Sequence, residues 1–142
     1  MPCSMIVAHN QILALLKAAL PVGLAVKYPD MAAPTNPFPP ATASWARVSI
    51  SDEGEGRLPP LVGELGSRRY TTDGLLIVEL YALSGDGRSA AQTLGQTVLA
   101  AFRGQKTAGG VWFRRARVND IGADGAWYHV NAVVEFQYDT VE

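Results

Sequence analysis

The chain has 142 residues, with 12 basic and 13 acidic side chains, a formal net charge of −1 and a single cysteine. That length suits one domain able to bury roughly 70% of the surface its unfolded form exposes. The charge balance excludes the electrostatic footprint of a nucleic-acid binder, and one cysteine excludes an internal disulfide or a clustered-thiol zinc site.

In chain order, residues 4–20 place Met5, Ile6, Ile12, Leu13, Leu16, Ala19 and Leu20 at the three-and-four spacing of an amphipathic helix, with Ser4 as N-cap and Pro21 as stop. Residues 22–28, VGLAVKY, read as a short strand. The next stretch, 29–44, carries five prolines and is expected to be an extended surface loop. WARVSI, 45–50, alternates, with Ala46, Val48 and Ile50 inward and Trp45, Arg47 and Ser49 outward.

Residues 51–67 are rich in glycine, with two prolines and four acids, and predict a long loop that orders on a partner. GLLIVELYALSG, 74–85, is apolar on both faces, the pattern of a central strand covered on both sides. After it, Asp86 can cap a helix whose apolar stripe is Ala90, Leu94, Val98, Ala101 and Phe102, with Gly104 as its end. Gly95 inside that helix costs about 1 kcal/mol relative to alanine, which close packing on a neighbour would compensate. Two long strands, 110–121 and 126–140, follow as a β-hairpin about GADG.

Strands that arrive in runs rather than alternating with helices indicate an α+β fold: one domain with a mixed or antiparallel sheet of about five strands and two helices packed on one face. No run of about 18 apolar residues is present for a membrane span, and the N-terminal stretch has no basic leader, so the chain reads as soluble and intracellular. Cys3 reads as an incidental thiol near a loose terminus. The low charged fraction, 18%, points to an outer surface partly covered by other protein.

Reactive chemistry is sparse. The two histidines are His9 and His129. His129 can be drawn as a general base, but in an extended strand Glu135 lies about 20 Å from it. GDGRSAAQ, 85–92, opens a helix yet matches neither a dinucleotide fingerprint nor a P-loop, and no G-x-S-x-G elbow surrounds Ser84 or Ser89. Arg114, Arg115 and Arg117 beside Trp112 and Phe113 offer the ingredients of a stacking platform, but a strand divides them between two faces. No catalytic, cofactor or metal residue is assigned.

The segment VKYPDMAAPTNPFPPATASWARVSI, 26–50, resembles the stretch of phage tail terminator proteins in which an aromatic-Pro pair leads through a Phe-Pro loop to a strand. RRYTTDGLLIVELYALSGDGRSAAQTLGQTVLAAFRG, 68–104, is similar to that family's next signature, and the hairpin with WYHVNAVVEFQYD completes the likeness over nearly the whole chain. The resemblance implies an α+β protomer without cofactor that assembles as a ring, often a hexamer, on the end of the completed tail tube. Such a ring ends tube polymerisation and offers a head-joining surface. Its partners would be itself, the tail tube protein and head–tail connector proteins, with no specific nucleic acid and no membrane. The protein would reside in the virion tail, and in the host bacterial cytoplasm before assembly. A head–tail connector of related fold and a small α+β ligand-binding or enzyme domain are the alternatives.

The last strand sets Tyr128, Val130, Ala132, Val134, Phe136 and Tyr138 toward the core. A face-matching register with 110–121 then groups Phe113, Arg115 and Arg117 with Trp127, His129, Asn131, Val133 and Glu135. Arg114 falls inward, an anomaly that a bulge or an edge position explains. The expected subunit or tube interface is therefore Arg68, Arg69, Phe113, Arg115, Arg117, Trp127, His129 and Glu135, together with the loop 51–67.

Overall fold

Ser4 opens the first helix, α1 (Met5–Ala19), with extended backbone angles and a side-chain Oγ that accepts from the Val7 N–H at 3.2 Å. Pro21 follows its last turn, and α1 buries Ala8, Ile12, Leu13 and Leu16 as one stripe. The computed structural model describes residues 3–29, 31–34, 36–40, 42–55, 69–83 and 87–141, with backbone only at 54, 55 and 69.

The other elements are β1 (Ala25–Lys27), β2 (Trp45–Glu55), β3 (Arg69–Leu83), α2 (Gly87–Phe102), β4 (Trp112–Asp124) and β5 (Trp127–Val141). They form one five-stranded mixed sheet in the order β1-β2-β3-β5-β4, with β1 parallel to β2 and every other pair antiparallel. The fold is thus a single α+β domain, as expected. The hairpin β4–β5 is also as expected: Ala116 lies opposite Val134 and Val118 opposite Ala132.

Both helices cover one face. Ile12 and Leu16 of α1 and Val98, Leu99 and Phe102 of α2 share one core with Leu76, Val78 and Leu80 of β3 and Val130, Val134, Phe136 and Tyr138 of β5. Each such large apolar side chain contributes roughly 1.5–3 kcal/mol by leaving water. Close packing is visible at two glycines. A Cβ on Gly74 would stand 2.2 Å from the Phe136 ring and 2.8 Å from the Ser51 carbonyl oxygen, and one on Gly95 would stand 2.9 Å from Val118. The close packing expected of Gly95 is therefore present.

Six expectations change, five here and Phe113 below. β2 runs on through residues 51–55, because that acidic, glycine-containing segment pairs with β3 from Leu75 to Thr72 across a bulge at Asp52/Gly54; residues 56–67 of the expected loop lie outside the described residues, as do Ser84, Asp86 and the cap expected there. The first strand shrinks to Ala25–Lys27. β3, although central, carries helices on one face alone. The buried stripe of α2 is Ala91, Gly95, Val98, Leu99 and Phe102, turned from the expected one because Gly95 lets the helix sit down on Val118. Cys3 is buried, and its N–H donates to the Asp139 carbonyl at 2.7 Å, so residue 3 is tied to the sheet.

A bulge between Phe113 and Ala116 shifts the phase of β4. It explains the Arg114 anomaly: Arg114 and Arg115 are both exposed. It also corrects Phe113, which lies opposite Phe136 and packs on the Phe102 ring at 4.9 Å, on the helix side, while Trp112 takes the other face opposite Gln137.

Candidate interface on the open sheet face

The sheet face that, among the described residues, carries no helix is built from alternate residues of β2, β3, β5 and β4, and its two ends differ. At one end an aromatic ladder crosses the strands. Trp45 stacks on Tyr81 at 4.0 Å and Tyr81 on His129 at 4.1 Å, while Trp127 meets the Trp45 ring edge-on at 6.1 Å. Phe38, from the proline-rich loop, closes over Trp45 at 5.3 Å, and the Arg47 guanidinium sits 5.4 Å from the same ring. Trp45, expected to point outward, does so, yet it is only 5% exposed because these groups enclose it. Register causes the ladder: Trp45, Tyr81 and His129 are directly opposed on three successive strands.

The middle of the face is apolar, with Leu75 and Ile77 half-buried and Val133 buried. The far end is polar. The Trp112 indole N–H donates to Gln137 Oε1 at 3.0 Å, Gln137 Nε2 donates to Asp73, and Thr71 Oγ1 donates to Asp139 at 2.7 Å. Here a groove of about 730 Å³ opens, lined by Glu53, Asp73 and Glu135 together with Trp112, Arg114 and Arg115. It continues into a second of about 840 Å³ that adds Arg103 and Arg117, the latter 3.7 Å from Glu135. A groove lined by both acids and arginines suits a polar protein surface that brings both signs.

Of the expected interface residues, Arg115, Arg117 and Glu135 meet in these grooves. Trp127 and His129 lie at the aromatic end, where His129 is 9% exposed and its Nε2 is 2.7 Å from Asn131 Oδ1. Phe113 is on the opposite face. Arg69 starts β3 opposite Val141, with only its backbone described, and Arg68 lies outside the described residues. The grooves also bring in Glu53, from the segment 51–67 expected at the interface, Trp112 and Arg114, weighed in the sequence only as a stacking platform, and Asp73, which the sequence reading left aside. The adjacent pair Arg114–Arg115 was the available signal, since an unbroken ladder would turn one of the two charges toward the face that the helices cover.

On the helix side, Asp52 accepts from Tyr138 Oη at 2.8 Å and lies 3.0 Å from His9 Nε2, whose ring meets Phe136 edge-on. Burial first, and then the Asp52 hydrogen bond, raise the Tyr138 hydroxyl pKa well above that of free tyrosine. His9 and Tyr138 both address Asp52, tying α1 to β2 and β5, and neither of the two grooves is lined by this cluster. Among the described residues, no three His, Cys, Asp or Glu side chains gather as a metal-ligand set, and no helix is long and apolar enough to cross a membrane.

Solved structures share this fold. One, whose name carries no functional description, matches with a TM-score of 0.60 and 17% identity over 94% of this chain and 95% of its own. Another is a chain of the virion of a native gene transfer agent particle, with a TM-score of 0.53 and 18% identity over 96% of this chain and 99% of its own. At these identities the likeness establishes a shared fold along the full length of both chains. No family model matches the chain. No curated protein matches it either.

Proposed function

We propose that this chain is a structural protein of a phage or prophage particle that caps the tail tube, ends its polymerisation and presents a head-joining surface as one protomer of a ring. The observation that carries the reading is the open sheet face. It combines an aromatic ladder, an apolar centre and a groove walled by both charge signs, the composition of a protein-binding surface rather than of a pocket with converging reactive groups. Support also comes from the full-length likeness to a chain of a gene transfer agent virion and from the terminator-like segments 26–50, 68–104 and 127–139. In this reading the protein works through contacts, with no catalytic step and no cofactor, and it sits in the virion tail.

Capping requires that the chain recognise the end of a tube and not its wall. Preassembled tail tubes incubated with the labelled protein should carry it at one end only. Labelling along the wall, or no labelling at all, would refute the proposal, and capture by head connector rings without tube binding would assign it to the connector side.

A further inference from the structure

At one end of the sheet the two edges carry opposite charge. On one side, among the described residues, β4 from Phe113 onward pairs with β5 alone, and between its two bulges lies a regular run, 116–120. Arg114, Arg115 and Arg117 cluster at the start of this edge, all exposed. On the other side, β1 covers β2 only at Trp45, Ala46 and Arg47. Beyond Arg47, among the described residues, β2 pairs with β3 alone, in a regular run 48–52 that leads into the exposed Glu53. A strand edge with free N–H and C=O groups is a template for another strand. Opposite charges favour β4 with β2, where the arginines meet Glu53, while Asp120 further along β4 is already engaged by Arg88 and Tyr128.

We infer that the β4 edge of one copy takes up the β2 edge of a second copy as an antiparallel strand, joining copies head to tail. This inference rests on the proposed ring and specifies its contact. β2 and β4 run in opposite senses within the sheet, so a neighbour related by rotation about an axis near the strand direction presents β2 antiparallel to β4. One register keeps both faces continuous. It sets Ile50 against Val118 on the helix side and Ser49 against Asn119 on the open side, and brings Glu53 opposite Arg115. In this register the β4 bulge at Asp120/Gly122 coincides with the place where β1 of the neighbour takes over the β2 edge, so the strand can bend away there. Such a contact is heterologous: each copy uses both edges, and repetition closes a ring when the rotation allows.

The test uses two single variants of the full chain, Ser49→Cys and Asn119→Cys, oxidised separately and as a mixture, on their own and on tube ends. The parent chain, whose one thiol is the buried Cys3, serves as control. The inference predicts a disulfide-linked species of twice the chain mass in the mixture and in neither variant alone. Cross-linking of either variant with itself to the same extent, or no cross-link in the mixture under both conditions, overturns it. Tube-end labelling by the parent chain is scored in parallel. Labelled ends without mixed cross-links discard the edge pairing and leave the capping reading intact, whereas unlabelled ends discard the capping reading whatever the cross-links show.

Discussion

Trp45 and Tyr81 lie face to face on neighbouring strands, ring centroids 4.0 Å apart and planes 7° from parallel, on the side of the sheet opposite α1 and α2. There the aromatic ladder itself seals this end of the face, and Phe38 anchors the proline-rich loop to it. Trp45→Ala should therefore destabilise the fold by about 3–5 kcal/mol, the range for a buried tryptophan. Urea denaturation gives the loss, and limited proteolysis should show new cleavage at 36–40. A loss below about 1 kcal/mol would mean the ladder is ornamental.

Gly74 provides a sharper steric test. An added methyl would meet both the Phe136 ring and the Ser51 carbonyl oxygen, and the carbonyl belongs to a paired strand that cannot retreat. Gly74→Ala should cost about 3 kcal/mol. Gly95→Ala should cost less, since a helical alanine regains about 1 kcal/mol while Val118 shifts; adding Val118→Ala should relieve that clash in a double-mutant cycle and leave Gly74→Ala unchanged.

Tyr138 gives the fold an alkaline limit. An unfolded tyrosine ionises near pH 10, whereas burial and then the Asp52 hydrogen bond keep Tyr138 protonated to higher pH in the folded chain. Its contribution is full below about pH 10 and is lost as pH rises above that, because the unfolded chain alone releases the proton. Denaturation from pH 8 to 11.5 should show this decline in the parent chain and a shallower one in Tyr138→Phe. At neutral pH that variant should be weaker by about 1–2 kcal/mol for the lost hydrogen bond.

How much of this was legible follows from range. The helix α1, its Ser4 cap, the hairpin and its register parity could be read because their signals lie within a few residues of one another. Glu53 and Asp73 could not: SDEGE has the composition of a loop, and only the pairing of β2 with residues 72–75 makes it a strand. Phe113 was assigned to the wrong face because parity carried along β4 assumes an unbroken ladder, and one bulge reverses every residue beyond it. The His9–Asp52–Tyr138 cluster joins residues 43 and 86 positions apart, and no local pattern announces such a meeting.

Charge reversal separates interface from fold. Arg115 is exposed on a bulge, so Arg115→Glu should change stability by less than about 0.5 kcal/mol, yet weaken association between copies and with tube ends at least tenfold. Trp127→Ala is a poorer probe, because its ring packs edge-on against Trp45 and its loss also perturbs the ladder. Sedimentation velocity and thermal melting on the same samples distinguish the two effects.

The most direct test of a capping role is electron microscopy of tails assembled with and without this chain. With it, tubes should have one uniform length and end in a ring-shaped density to which heads attach; without it, tubes should overrun that length and remain headless. Tubes of the same length, equally joined to heads in both preparations, would contradict the account.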